Sequence, residues 1–244
     1  MEAGTIDIWV AEVDGVAAEV EKYERLLSTA EAARSNRFHF ARDRCRYVAR
    51  HGILRILLSA YLGFEPEHIE FKPDKKGKPH VVKRTPENKL QFSMSHSSGL
   101  VAFAFGQSAG IGIDIEKIRA FPEQRGVICR SCAPAEIEEL DNSPSSARLE
   151  NFFRLWVRKE AILKASGDGL ALDLRLVDVS TVSPGGGIWR LRKIEAGGLN
   201  REFRWVDVKL APGFASAVAA AGSRELDLRY LRYDTTADSL TAFQ

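Results

Sequence analysis

The sequence predicts an α+β protein of two pseudo-symmetric lobes, about 1–108 and 109–244, each an antiparallel sheet packed on a long helix. Three observations carry that prediction. Two stretches place apolar residues at helical spacing, one running through YVARHGILRILLSAYLG to Gly63 and one from Phe152 to Gly167, and each lies between segments of strand character. FSMSHSSGLVAFAF reads as two strands joined by a Ser-Ser-Gly turn, so antiparallel pairing is written locally. GFASAVAAAG at 213–222 echoes GLVAFAFG at 99–106, each a strand of small and apolar residues opened by glycine. At 244 residues and 45% hydrophobic content, the chain has enough apolar surface for two cores.

Thr5 to Val13 alternates apolar and polar residues, with Ile6, Ile8 and Val10 on one face, and is predicted as a strand. Residues 15–27 and 29–38 follow as helices, with Ser28 or Thr29 as the N-cap before AEAA. Asp43 is the predicted cap of the next helix, whose core face is Val48, Ile53, Leu54, Leu57, Leu58 and Tyr61 and which ends at Gly63. A short strand at 69–71 leads into KPDKKGKPHVV, where Gly77 and Pro79 set a turn that carries Lys75, Lys76 and Lys78. Strands at 92–95 and 100–105 make the hairpin. In the strand Gly110 to Lys117, Ile111, Ile113 and Ile115 share one face, and Gly112, Asp114 and Glu116 share the other. Helical pieces follow Phe121, one of them capped ahead of Glu136, and DNSPSSA reads as a mobile loop. Beyond the second long helix, strands are predicted at 175–182, 188–195, 202–210 and 214–221, and the tail from Asp234 has little core-forming content.

Net charge is +2 and the isoelectric point about 8.4, so no global bias dictates a partner. Arginine is dense locally, at Arg34, Arg37, Arg42, Arg44, Arg46, Arg50 and Arg55, and Arg42, Arg46 and Arg50 recur every four residues. Such a run is ordinarily a solvated face; the functional alternatives are a nucleic-acid patch or a site for a phosphorylated small molecule. Cys45, Cys129 and Cys132 form no disulfide framework and suit a reducing compartment, and Cys129-x-x-Cys132 lacks the second pair a zinc site needs. The opening MEAGTIDIWV has no basic start of a secretory leader, and no apolar run reaches the ~20 residues a membrane span needs. The expectation is a cytoplasmic monomer with no membrane partner.

Trp156, Glu160 and Lys164 fall at i, i+4 and i+8, one line along the second long helix. A Glu–Lys pair at that spacing is ordinarily surface decoration contributing about 0.3–0.5 kcal/mol. What raises its meaning is the company it keeps. Asp114 and Glu116 repel each other on one face of a strand unless a cation or solvent relieves them, and Gly112 before them leaves room for close approach. Three carboxylates without clustered His or Cys are a hard-oxygen donor set, which suits Mg²⁺ with Mn²⁺ as a substitute. Lys164, the cations at Lys75 and Lys78 around Gly77, and the Ser95-His96 pair at a strand end would meet phosphates. A metal with positioned cations suits phosphoryl or phosphodiester transfer.

GIDIE at Gly112–Glu116 and F-x-x-x-W-x-x-K-E-A-x-x-K at Phe152–Lys164, trailed by GDG at Gly167–Gly169, resemble the 4'-phosphopantetheinyl transferases, specifically the long pseudo-dimeric (Sfp-type) class. FARD at Phe40–Asp43, GKP at Gly77–Pro79 and FSMSH at Phe92–His96 match in order and spacing, so the resemblance covers about residues 34–175. It implies an active site at the lobe interface, where the phosphopantetheine arm of coenzyme A passes to a serine of an apo acyl or peptidyl carrier protein. By the same resemblance Asp114, Glu116 and Glu160 are implied to be the Mg²⁺ ligands, Glu160 also the base, acting directly or through a metal-bound water, and Lys164 is implied to neutralise the diphosphate. Arg42, Lys78, Ser95 and His96, with Arg46, Lys75, Gly77 and Pro79 beside them, are implied to hold coenzyme A, and Trp156 and Lys159 to give support. Ser93 departs from the family, many members of which have Asn there. Two rival classes explain less. A nucleic-acid module built on Arg34–Arg55 leaves the three carboxylates without a role, since acids repel phosphates. A coenzyme A-binding regulator without turnover has no need of Glu160 and Lys164.

Overall fold

The computed structural model describes residues 4–74, 77–82, 89–107, 110–167, 172–180, 187–191, 201–222, 224–237 and 239–242. Lys75, Gly169 and the predicted strand residues 181–182 and 192–195 lie outside the described residues. The first half contains β1 (Thr5–Glu12), α1 (Val20–Glu24), α2 (Thr29–Ser35), α3 (Ala41–Leu62), β2 (Phe71–Pro73), β3 (Pro79–Val81), β4 (Gln91–Ser97) and β5 (Leu100–Gly106). The second contains β6 (Ile111–Lys117), α4 (Gln124–Ser131), α5 (Pro134–Asn142), α6 (Ser145–Ser166), β7 (Gly187–Leu191), β8 (Arg201–Asp207), β9 (Phe214–Ala221), β10 (Asp227–Asp234) and β11 (Ser239–Ala242). Among the described residues no helix is long and apolar enough to cross a membrane.

The expected repeat is visible in topology. The order β1-β5-β4 in one sheet matches β6-β9-β8 in the other, every pair antiparallel, with β7 extending the second. α3 and α6, each 22 residues long, occupy equivalent places in the two halves. Each ends on a glycine at φ 71°, Gly63 and Gly167, a left-handed conformation that costs glycine least and turns the chain out of the helix. The echoing segments are β5 and β9, which hold the equivalent middle places in β1-β5-β4 and β6-β9-β8.

Three apolar clusters hold the layers together. Trp9, Phe103 and Phe105 on one face of the first sheet meet Ile53, Leu54 and Leu57 of α3. Ala215, Ala217 and Ala219 of β9, with Phe203 and Trp205 of β8, meet Val157, Ala161 and Ile162 of α6. Between the sheets, Ile6, Ile8, Val10, Ala102 and Ala104 pack on Ile111, Ile113, Ile115, Val218 and Ala220. Period-two alternation gives each strand two apolar faces, so the lobes share a core as well as owning one each. Burying one such Ile or Leu contributes about 1.5–3 kcal/mol, so this shared layer fixes the lobes against one another.

Several expectations need correction. β10 and β11, assigned by the sequence to the second lobe or to its tail, join the first sheet, and β10 runs parallel to β1 with Thr5 opposite Asp227 and Val10 opposite Arg232. The first sheet is therefore mixed. DLRYLRYD hides its strand because charged residues interrupt the apolar pattern; one of them, Arg229, is anchored by a two-pronged bond to buried Asp7 at 2.6 and 2.8 Å. Asp43 is the third residue of α3 and not its cap; Phe40 holds the cap position without a side-chain bond. In DNSPSSA, only Ser143 and Pro144 separate α5 from α6. The strand expected from 175 begins instead as a 3₁₀ turn at Leu174–Leu176, because the Asp173 carboxylate accepts from the Arg175 amide at 2.9 Å. Ser28 caps α2 as expected, its backbone N–H donating to Glu31 Oε2 at 2.8 Å.

Candidate active site

The site begins with a helix laid directly on a strand. A Cβ added to Gly112 would lie 1.9 Å from Ala161 O, and one on Gly110 would lie 2.2 Å from Ala165 O. The glycine before the carboxylates thus admits the backbone of α6. That approach sets Lys164 against Asp114: Nζ donates to Oδ1 at 2.7 Å and to Ile113 O at 3.0 Å. Ser95 Oγ donates to the same Oδ1 at 2.7 Å. Asp114 is 4% exposed, and its Oδ2 is buried with no hydrogen-bond partner among the described residues. A carboxylate oxygen left so is costly, and it matches a position for a cation.

Ser97 Oγ donates to Glu116 Oε2 at 2.7 Å. Burial raises the Glu116 carboxyl above the ordinary range, as does Asp114, against the bond from Ser97. Burial likewise raises Glu160, helped by Asp114 and Glu116 and opposed by Lys164. Asp114 therefore acts on Glu116, as their spacing on one strand face anticipated, and both act on Glu160. Among the described residues no three Asp, Glu, His or Cys side chains already converge as ligands, so a bound cation would have to draw these three together. The all-oxygen set and the unpartnered Oδ2 fit a hard ion such as Mg²⁺.

Beside them opens a cleft of about 1140 Å³, lined by Gly77, Lys78, Pro79, Ser93, Met94, Glu160 and Lys164 and also by Arg34, Tyr47, His51, Phe71 and Phe92. Lys78 is engaged there. Its Nζ donates to Ile111 O at 2.9 Å and to Lys164 O at 2.7 Å, tying the β2–β3 turn to β6 and to the last carbonyls of α6. Burial, with Lys164 nearby, lowers its pKa to about 8.

The expected arginine face divides in three. Arg42 is open to solvent, with Nε 3.5 Å from Asp43. Arg46 grips Asp14 at 2.6 and 2.8 Å. Arg50 is half-buried over the Tyr47 ring at 5.0 Å, with its Nε buried and without a hydrogen-bond partner among the described residues; loss of solvent around it lowers its pKa to about 10. His96 shares this cationic neighbourhood. Its side chain is exposed at the surface, yet partial loss of solvent, then Arg50 and Lys164, lower its pKa to about 4. His51, stacked on Tyr47 at 4.0 Å with Nδ1 2.8 Å from Tyr47 O, is also held near 4, chiefly by burial.

Sequence reasoning passed over Ser97, Tyr47 and His51, and gave Arg50 no role of its own. Ser97 had a signal: it continues the two-residue spacing of Ser93 and Ser95. Lys159 proves structural, as expected. Its Nζ lies 2.6 Å from Glu136 Oε2, with both side chains at or below 1% exposure. Trp156 packs on Phe152 at 6.1 Å between ring centres.

Fold and site define a class, a two-lobed α+β protein whose seam sets carboxylates and cations beside a cleft suited to a phosphorylated ligand. The sequence profile of the 4'-phosphopantetheinyl transferase superfamily matches residues 110–209, and that of the 4'-phosphopantetheinyl transferase N-terminal region matches 14–108. The 4'-phosphopantetheinyl transferase HetI of Nostoc sp. is 38% identical over 166 residues, covering 68% of this chain and 70% of that one. The rat L-aminoadipate-semialdehyde dehydrogenase-phosphopantetheinyl transferase is 28% identical over 84% of this chain and 72% of its own. The 4'-phosphopantetheinyl transferase Sfp of Bacillus subtilis is 29% identical over 64% of this chain and 67% of its own. The chain belongs to the 4'-phosphopantetheinyl transferase superfamily, in its long, Sfp-type class.

Proposed function

We propose that this protein transfers the 4'-phosphopantetheine arm of coenzyme A to a serine hydroxyl of an apo acyl or peptidyl carrier protein, with Mg²⁺, releasing adenosine 3',5'-bisphosphate. The observation that carries the reading is the seam itself: Lys164 on Asp114 Oδ1, Oδ2 unpartnered, and Glu160 close enough to feel both. The serine oxygen attacks the phosphorus that bears pantetheine. The bond from that phosphorus to the bridging oxygen breaks, and its electron pair leaves on the 5'-phosphate of the nucleotide.

Glu160 takes the serine proton. Burial and its acidic neighbours raise its pKa in the metal-free site, a shift that a bound cation would oppose, so its role as base rests on its position at the seam. Lys164 stands where charge grows on the departing phosphate, and a fixed ammonium in a partly dry site is worth more there than in water. Asp114, Glu116 and Glu160 would hold Mg²⁺, which when bound supplies charge neutralisation to the diphosphate. For the nucleotide, Arg42, Lys78 and His96 remain the proposed partners of the 3'-phosphate, and the positive surroundings of His96 support its place among them. Gly77 and Pro79 line the cleft, as does Lys78, whose bonds to two carbonyls make it a wall as much as a phosphate contact. Arg46 and Ser95 act through Asp14 and Asp114 respectively. The protein is proposed to work in the cytoplasm as a monomer, with no nucleic-acid or membrane partner.

Intact mass of an apo carrier protein after incubation with coenzyme A tests this. The expected result is one phosphopantetheine added to a serine, abolished by EDTA and restored by Mg²⁺ or Mn²⁺. Tight coenzyme A binding with no mass gain on any carrier would instead show a binding protein without turnover.

A further inference from the structure

β4 and β6 are edge strands of different sheets, and they lie side by side without a shared backbone ladder. Edge amides need other partners. Every second residue of β4 from Ser93 to Ser97 is serine, and all three hydroxyls are spent on β6. Ser93 Oγ accepts from Ile113 N at 3.1 Å, Ser95 Oγ donates to Asp114 at 2.7 Å, and Ser97 Oγ both accepts from Lys117 N at 3.1 Å and donates to Glu116 at 2.7 Å. The stripe replaces a ladder with side chains, and two of its three members end on carboxylates of the catalytic seam.

Ser97 is the informative member. Its lone pair is engaged by the Lys117 amide, which leaves the hydroxyl proton pointing to Glu116 Oε2. A serine has one proton to give, so this arrangement has a direction. Asp114 has two donors on Oδ1, from Lys164 and Ser95. Glu116, with a longer side chain and more rotamers, has Ser97 as the donor that holds it. The bond also opposes the burial and like charge that push Glu116 toward protonation.

We propose that Ser97 is a positioning residue for the metal: it limits the orientations open to Glu116, so that less rearrangement is needed when a cation draws the carboxylates together. This rests on the metal-binding reading above. Outer partners of ligands commonly set metal affinity by about 10–100-fold.

Mn²⁺ titrated into the full-length protein, alone and with coenzyme A, and followed by paramagnetic resonance of the free ion, reads the effect without turnover. Ser97→Ala is expected to weaken Mn²⁺ binding about tenfold while coenzyme A affinity measured in EDTA stays at the wild-type value. Ser97→Thr keeps the hydroxyl and should restore Mn²⁺ affinity. Wild-type Mn²⁺ affinity in Ser97→Ala, or a parallel fall in metal-free coenzyme A affinity, would reduce Ser97 to a stitch between strands and overturn the proposal. Glu116→Gln separates the two readings. If Glu116→Gln binds Mn²⁺ normally, the metal assignment fails and this proposal with it. If Glu116→Gln loses affinity and Ser97→Ala does not, this proposal fails alone.

Discussion

Lys159→Met should lower stability by about 3–5 kcal/mol, the usual consequence of leaving one half of a buried ion pair uncompensated. The structure sets up that loss with unusual completeness. Lys159 Nζ lies 2.6 Å from Glu136 Oε2 and donates to Leu174 O at 2.9 Å and Val177 O at 2.6 Å. Glu136 accepts from Ala133 N at 2.7 Å and Val179 N at 2.8 Å. The pair thus clamps α5 and residues 174–179 to the helix that carries Glu160. Methionine keeps the apolar stem and removes the charge, so packing is a minor part of the change. For a chain of this size about 1 kcal/mol moves the melting temperature by about 2–4 °C, so the variant should melt about 6–20 °C lower. Lys159→Met with Glu136→Gln leaves no buried charge and should recover part of the loss, a non-additivity that marks direct coupling. Calorimetry and urea unfolding on the four proteins measure it. A Lys159→Met protein within about 1 kcal/mol of wild type, or penalties that add, would refute the clamp.

Gly112→Ala places a methyl 1.9 Å from Ala161 O, where only backbone can yield, so it should cost at least about 1–3 kcal/mol and lower kcat by shifting Lys164 off Asp114; wild-type melting and turnover would contradict the close approach. His51 titrates near 4 in the fold and at about 6.5 unfolded, so the unfolded chain binds the extra proton between those values and stability falls as pH drops from 6.5 toward 4, by up to about 3 kcal/mol from this group. Urea titrations at pH 7.5 and 4.5 should show that loss shrinking in His51→Phe, and an unchanged loss would count against it. Arg42→Ala should weaken coenzyme A binding by about tenfold, the usual loss of one charge-assisted phosphate contact, and wild-type affinity by calorimetry would take the 3'-phosphate off Arg42, which is otherwise open to solvent beside Asp43.

Much of the site was legible because it is written at short range. Alternation along β6 puts Asp114 and Glu116 on one face, and four-residue spacing along α6 puts Glu160 and Lys164 on one line. The glycine turns at Gly63 and Gly167 and the Ser28 cap are equally local. What escaped depends on partners far away in the chain. Arg46 belongs to Asp14, 32 residues distant, and Lys78 to carbonyls 33 and 86 residues distant, so their number and charge suggested phosphate contacts while their geometry is largely internal. β10 could not be read from its own residues, because its strand character comes from pairing in parallel with β1 at the other end of the chain. Ser97 needed β6 beside β4 before its hydroxyl had a meaning.

Glu160 and its neighbours at the seam are proposed to move a phosphopantetheine group. Single-turnover formation of holo-carrier protein by Glu160→Gln, at saturating coenzyme A and Mg²⁺ and read by intact mass, tests it most directly, since the substitution keeps shape and removes the basic charge. The expected rate is at least about a hundredfold below wild type, the usual worth of a positioned base, with coenzyme A still bound. A Glu160→Gln enzyme that modifies its carrier at the wild-type rate would contradict it.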